Sequence, residues 1–204
     1  INTELKGINK LSKTIDKNFD KAVKSLAKVK GRVIITGVGK SGHIANKISS
    51  TMSSTGTPSQ SCSPTDMSHG DLGIISKKDM IIVVSNSGNS NELTNLLDFA
   101  KKYSISIIGI SSNSESDLIK ASDISLILPN ASEACSIGLA PTTSTTMALI
   151  LGDALCVSLM KMKKFKKSDY KKLHPGGSLG TQMLQVKDIM HNKSKMPIVE
   201  ENAT

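Results

Sequence analysis

Short runs of consecutive apolar residues, each followed by a Gly- or Ser-rich turn and then a helix-spaced apolar stripe, constrain this chain more than any other feature. Val33-Ile34-Ile35 runs into Gly37-Val38-Gly39-Lys40-Ser41-Gly42 and then Ile44, Ile48 and Met52, up to a stop at Gly56-Thr57-Pro58. Met80-Ile81-Ile82-Val83-Val84 runs into a polar turn over residues 85–91 and then Leu93, Leu96, Leu97 and Ala100. Residues 105–110 precede a predicted helix from Ser114, and residues 124–128 lead into another turn. A weaker strand is expected over residues 59–62. Strands that do not alternate polar with apolar are buried on both faces, the mark of a parallel sheet covered by helices. The predicted class is therefore α/β: a three-layer α/β/α sandwich on a five-stranded parallel sheet, doubly wound and flavodoxin-like. In such sheets ligands bind outside the carboxyl ends of the strands, where these turns lie.

The flanking segments carry helical periods. Leu5, Ile8, Leu11, Ile15, Phe19, Val23, Leu26 and Val29 recur at steps of three or four, which predicts one long helix closed by Gly31. Its length suits packing on a partner subunit as well as on its own sheet. An apolar helix is expected over residues 143–162 and a short one over residues 168–173. A last helical turn should follow His174-Pro175-Gly176-Gly177, before a polar tail with too little apolar material to fold alone.

Composition excludes several function classes. The chain has 204 residues, 38% of them hydrophobic, enough for one well-buried domain. The net charge of +9 raises nucleic acid as a partner, but aromatics are 2% and Arg32 is the only arginine. Base stacking and guanine or phosphate forks call for more of both. The lysines cluster near the start and over residues 161–172, interleaved with apolar residues as on solvated helix faces; no nucleic-acid partner is expected. An anionic substrate would still gain from the positive field. Three scattered cysteines, Cys62, Cys135 and Cys156, make no disulfide framework. No signal peptide is read, and residues 147–160 are interrupted by Gly152 and Asp153, so no membrane partner and a cytoplasmic location are expected.

Chemistry concentrates in the turns. The segment from Gly37 to Gly42 satisfies a GxGxxG pattern, but a dinucleotide site also wants a carboxylate about 20 residues on, and residues 57–63 hold none. A triphosphate loop would need a glycine where Ile34 stands. What remains is a Gly-rich turn at a helix start that suits an anion, with Lys40 adding charge, or a plain tight turn with a solvated lysine. Ser85, Ser87 and Ser90 around Gly88 can wrap a phosphate through hydroxyls and backbone N–H groups, or simply cap the next helix. Thr142-Thr143-Ser144-Thr145-Thr146 can line the same pocket or cap its own helix. The acid–base candidates are Glu92, Glu133, His69 and His174; each taken singly also fits a capping, surface or core role. Cys62, Asp66 and His69 match no standard zinc spacing, and no metal is expected.

Taken together, the segments Gly37-Val38-Gly39-Lys40-Ser41-Gly42-His43, Ser54-Thr55-Gly56-Thr57-Pro58, His69-Gly70-Asp71-Leu72-Gly73, Ser85-Asn86-Ser87-Gly88, Glu133-Ala134-Cys135, Gly138-Leu139-Ala140-Pro141-Thr142, Gly152-Asp153-Ala154-Leu155 and His174-Pro175-Gly176-Gly177 closely resemble the sugar-isomerase (SIS) domain of bacterial arabinose 5-phosphate isomerases. The resemblance runs in order along nearly the whole chain. It implies conversion of D-ribulose 5-phosphate to D-arabinose 5-phosphate, on the route to the acid sugar Kdo of lipopolysaccharide or capsule, with no cofactor. It places catalytic roles on Lys40, Glu92, Glu133 and His174. Substrate contacts fall on Gly56, Thr57 and His69, and Ser41, Ser85, Ser87 and Ser90 are expected to join them. It also implies a homotetramer whose active sites are completed by a neighbouring subunit. Three positions depart from the family pattern: Asn89 and Asp66 stand where glutamates are usual, and Ser63 where a histidine able to serve a metal or substrate site is common. Asp188-Ile189-Met190-His191 resembles the entry to paired CBS modules, so residues 1–184 are expected to form the SIS domain and residues 185–204 a linker opening a CBS region.

The expected chemistry is proton transfer through an enediolate, with Glu133 or Glu92 as carbon base and His174 moving protons between the two oxygens. The hydroxyls of Ser85, Ser87 and Ser90 would hold the phosphate, and Lys40 would supply charge. Two rivals stand beside it: a non-catalytic phosphosugar-sensing SIS domain, and an isomerase of another sugar phosphate.

Overall fold

A computed structural model of the chain describes residues 1–175 together with 186, 190, 199, 201 and 202. It divides into one unit over Ile1–Phe165 and a second over Lys166–Thr204. In the first unit the strands are β1 (Val33–Gly37), β2 (Ser59–Ser61), β3 (Met80–Val84), β4 (Ile107–Ser111) and β5 (Ile124–Ile127). They form one sheet in the order β2-β1-β3-β4-β5, parallel throughout. The helices are α1 (Asn2–Thr14), α2 (Lys17–Ala27), α3 (Lys40–Ser54), α4 (Pro64–Ser68), α5 (Thr94–Tyr103), α6 (Asp117–Ala121) and α7 (Thr143–Met162). Short 3-10 turns over Asp71–Ile74 and Asn91–Leu93 precede β3 and α5.

The strand runs lack alternation because both faces of the sheet are roofed. Val33, Ile35, Ile82, Val84, Ile108 and Ile110 enter one core with residues of α1, α2, α3 and α7. Their neighbours Ile34, Ile81, Val83 and Ile107 enter a second core with Met67, Leu93, Leu96, Leu97 and Leu118 from α4, α5, α6 and the turn before α5. A strand's side chains alternate between faces, so each fully buried five-residue run feeds both layers. Burial of one such Ile or Leu side chain contributes roughly 1.5–3 kcal/mol.

Three local expectations are corrected. The predicted long N-terminal helix is two helices, because Ile15 is extended (φ −66°, ψ 117°) and the Asp16 carboxylate accepts from the Asn18 N–H at 2.8 Å. The cap starts α2 anew and satisfies a backbone donor that a continuous helix would bond internally. Leu11, Phe19, Val23 and Leu26 still reach the core, whereas Leu5 and Ile15 stay 49% and 46% exposed. The helix expected from Ser114 begins at Asp117, capped by Ser116. The apolar segment of α7 is not interrupted: Gly152 is buried, and Asp153 pairs with Lys47 at 2.5 Å. The resulting helix has 20 residues and a mean hydropathy of 1.5 over its most apolar window, enough by length and composition to cross a bilayer. Half of that window is buried, and α7 packs on α3, α1 and α2 as the central helix of its layer.

The second unit contains α8 (Lys167–Leu173), whose Asp169 carboxylate accepts from the Lys166 N–H at 3.0 Å. The helical turn expected after His174-Pro175-Gly176-Gly177 and the division expected at 184/185 lie outside the described residues.

Candidate active site

The strand order places the reversal between β1 and β3. The chain leaves β1 toward β2 on one side and returns as β3 on the other, so the loops part above these two strands. A cavity of about 310 Å³ opens beside their carboxyl ends. Its polar wall is Lys40, Ser41, Asn86, Glu133, Ser144 and Thr145; its apolar wall includes Val38, Ile44, Val84 and Leu128. Lys40, Ser41 and Glu133, three of the residues singled out from sequence, are thus brought together from the loops after β1 and β5.

Each polar group is placed by a local backbone cause. Gly39 turns the chain at φ +57°, so α3 starts at Lys40. The Lys40 side chain is exposed and has no hydrogen-bond or ion-pair partner among the described residues. Asn86 stands two residues past the end of β3. Its carbonyl accepts from the Ser111 and Ser112 hydroxyls at 3.0 and 2.9 Å, which fixes the backbone and leaves the amide side chain at the cavity wall.

Glu133 sits in the loop between β5 and α7, and its Oε2 receives three donors at the helix start. These are the Thr142 N–H at 2.7 Å, the Thr142 hydroxyl at 3.0 Å and the Ser144 N–H at 3.3 Å. Partial burial pushes the carboxyl pKa up, but the donors of Ser144 and Thr142 together outweigh it and hold the group below its ordinary 4.5. All three bonds fall on one oxygen. The carboxylate is therefore ionised and anchored through Oε2, with Oε1 left for whatever enters the cavity.

The Ser-rich turn is held by its own hydroxyls. Ser85 Oγ accepts from the Gly88 N–H at 3.1 Å and Ser87 Oγ from the Asn89 N–H at 3.4 Å, so each hydroxyl is oriented and keeps its proton to donate. Gly88 is required here: it has φ +70°, and an added Cβ would come within 2.1 Å of Ser116 Oγ. Ser90 precedes the turn Asn91–Leu93 and makes no side-chain cap. Asn86 is the one member of this turn on the cavity wall. Glu92 lies a turn further on, exposed and outside the wall.

The remaining predicted residues are elsewhere. Gly56 and Thr57 precede β2 and so lie at the opposite, amino edge of the sheet. There Thr57 Oγ1 accepts from Lys163 Nζ at 2.8 Å, and Gly56 faces the Phe165 ring. His69 is exposed at the end of α4. His174 belongs to the second unit, where its ring stacks on Tyr170 at 3.7 Å and its Nδ1 lies 2.8 Å from the Tyr170 carbonyl. Among the described residues, no three His, Cys, Asp or Glu side chains are grouped to hold a metal ion. Asn86 is a site residue that sequence reasoning missed, since it is uncharged and stands between two serines; its place just past a fully buried strand was the available signal.

The chain is similar to known proteins in sequence and fold. The SIS domain family matches residues 25–158. Arabinose 5-phosphate isomerase KdsD of Yersinia pestis is 44% identical over 202 residues, covering 98% of this chain and 62% of its own. KdsD of Francisella tularensis is 45% identical over 201 residues, covering 97% and 62%. The chain thus spans about three fifths of the length of these curated relatives. A solved structure of Escherichia coli CFT073 c3406 in complex with arabinose 5-phosphate superposes with a TM-score of 0.83 at 38% identity, covering 85% of this chain and 93% of that one. With the sheet order, the cavity above the β1–β3 reversal and a family match over more than half its residues, the chain belongs to the SIS domain family.

Proposed function

We propose that this chain is the isomerase domain of an arabinose 5-phosphate isomerase, interconverting D-ribulose 5-phosphate and D-arabinose 5-phosphate with no cofactor. The observation that carries the reading is Glu133, ionised and fixed through one oxygen, on the wall of a cavity that Lys40, unpartnered among the described residues, also lines. The KdsD relatives and the neighbour bound to arabinose 5-phosphate supply the substrate class.

In this reaction a proton leaves C1 of the ketose and an enediolate forms across C1 and C2. C2 then takes a proton, while hydrogen moves from the C1 oxygen to the C2 oxygen. A carboxylate already ionised at neutral pH accepts the carbon-bound proton without first losing its own. Oε1 of Glu133 is the atom for that step, with Glu92 as the alternative base. Lys40 stabilises negative charge on the enediolate or the phosphate. Ser85, Ser87 and Ser90, with Ser41, bind the phosphorylated end. Gly56, Thr57 and His69 contact substrate, and His174 shuttles the oxygen-bound proton. Gly56 and Thr57 lie at the far edge of the sheet in their own chain, so their part, like that of His174, would be played in a site shared between subunits of a homotetramer. The reading further takes residues 1–184 as the SIS domain and residues 185–204 as the opening of a CBS region, and it places the protein in the cytoplasm on the route to Kdo.

A carboxylate on the cavity wall supports an enzyme over a phosphosugar sensor, which needs only anchors. The test is a coupled assay of the purified protein against ribulose 5-phosphate and a panel of other ketose phosphates. Arabinose 5-phosphate should appear from ribulose 5-phosphate alone. No turnover of any member would sink the enzyme reading. Near-normal rates in Glu133→Gln, Glu92→Gln and His174→Ala together would sink the assigned roles.

A further inference from the structure

Two buried hydroxyls in the first turn of α7, Thr143 Oγ1 and Ser144 Oγ, have no hydrogen-bond partner among the described residues. They differ in what they face. Thr143 is completely buried beside α1, where an added Cβ on Gly7 would lie 2.5 Å from Thr143 Cγ2. Ser144 is 6% exposed and lines the cavity together with Lys40, Asn86 and Glu133. Its hydroxyl is near enough to Glu133 to help lower that carboxyl's pKa, yet it lies outside hydrogen-bond geometry. A buried polar group left unsatisfied costs the folded protein the hydration it has lost. Alanine at position 144 would keep the helix and the Ser144 N–H bond to Glu133 and remove that cost.

We infer that Ser144 is a substrate-binding residue whose hydroxyl is left unpaired so that a hydroxyl of the open-chain sugar can complete it. The inference rests on the proposed function and deepens it. A serine hydroxyl donates and accepts, as does each hydroxyl of a polyol, so the pair can satisfy both members at once. Its backbone N–H holds Glu133 Oε2, so a sugar bonded to Ser144 is registered against the carboxylate that takes its proton. An analogue lacking the matching hydroxyl would leave Ser144 orphaned and bind more weakly.

The test uses Ser144→Ala, with Thr143→Val as the variant outside the cavity. Ser144→Ala should raise KM for ribulose 5-phosphate about 10-fold or more with kcat within about threefold, the pattern of lost uniform binding. Without ligand its unfolding midpoint should stay level or rise by roughly 2–4 °C, because the desolvated hydroxyl is gone. The added stability conferred by arabinose 5-phosphate should shrink. Thr143→Val should keep the wild-type KM and the full ligand-induced shift. An active wild type with unchanged KM and ligand shift in Ser144→Ala overturns this inference alone. So does a lowered midpoint with KM unchanged, which is the result of a structural bond. A wild type that turns over no phosphosugar overturns both this inference and the function it rests on.

Discussion

The two edges of the one parallel sheet carry the same kinds of residue and use them differently. At the amino edge Asp79 spends both carboxylate oxygens on the chain itself: Oδ1 accepts from the Arg32 N–H at 2.6 Å and Oδ2 from the Ser76 N–H at 2.7 Å. At the same edge Asp123 Oδ2 accepts from the Ile107 N–H at 2.8 Å and ties the start of β5 to β4. At the carboxyl edge Glu133 spends only one oxygen, while Lys40 and the Ser144 hydroxyl have no partner among the described residues. Burial pushes up the pKa of both Asp79 and Glu133, and hydrogen bonds to their ionised forms pull each below its ordinary value. Electrostatics alone therefore does not separate scaffold from site. What separates Asp79 from Glu133 is whether a carboxylate oxygen is left without a donor.

Glu133→Gln against Asp79→Asn is the sharpest way to break this contrast. Loss of a general base typically costs about 10²–10⁴-fold, so Glu133→Gln should lower kcat for ribulose 5-phosphate by about that factor. It should leave the unfolding midpoint within a few degrees, since the amide oxygen still accepts from the α7 donors. Asp79→Asn should keep kcat and lose roughly 1.5–3 kcal/mol of stability, the scale of hydrogen bonds to a charged group, read by urea titration. Comparable activity losses in the two variants would show that the edges are not functionally distinct.

Gly31→Ala probes the amino edge from the other side. A Cβ there would lie 2.1 Å from Asp79 Oδ1 and 2.8 Å from the Lys78 backbone. The clamp must open or the turn shift, and destabilisation of about 1–3 kcal/mol is expected, with kcat unchanged. A neutral result would mean that Asp79 can re-form its bonds from another position, weakening its contrast with Glu133.

The sheet and its layers were legible because a single physical fact, burial on both faces, writes itself as unbroken apolar runs such as Met80–Val84. The turns were legible for a related reason, since Gly39 and Gly88 occupy positive φ and mark where backbone approaches a site. The break between α1 and α2 was missed because the stripe that feeds the core continues through it in register. Only Asp16, one capping carboxylate, ends one helix and starts the next. Within the site, Glu133 and Lys40 announce themselves by charge, whereas the distinction of Ser144 from Thr142, Thr143 and Thr146 does not exist in sequence. It depends on which side of one helical turn meets the cavity.

The acid limb of stability sharpens the comparison further. Asp79 and Glu133 have folded pKa values below their ordinary 3.8 and 4.5. The stability each contributes is fully present above those ordinary values and is lost as pH falls through the lowered folded ones. Unfolding free energy should be flat in these two groups from neutrality to about pH 5 and fall below it, by up to about 1.4 kcal/mol per pH unit for each group. Asp79→Asn and Glu133→Gln should each flatten that limb, because the edges differ in spare capacity and not in how they hold charge. A limb unchanged in Asp79→Asn would remove Asp79 from the ionised clamp.

The smallest effect concerns the cysteines, and it asks whether donors at the carboxyl edge attract negative charge even within the chain. Cys135 Sγ accepts from the Leu139 and Ala140 N–H groups at 3.1 Å each, and these donors, Ala140 first, lower the thiol pKa. Cys156, buried in α7, is pushed up by burial to about 12, and Cys62 is raised by burial, then by Asp71 and Asp66. Thiolate is the reactive form, so an iodoacetamide pulse at neutral pH should label Cys135 first, with Cys62 and Cys156 lagging by about 10-fold or more in peptide mass spectra. Gly138 and Leu139 of the same loop line the cavity, so the label also reports on its wall. Preferential labelling of Cys62 would mean that residues 135–140 do not wrap the sulfur, and that the surplus of donors at this edge stops at the start of α7.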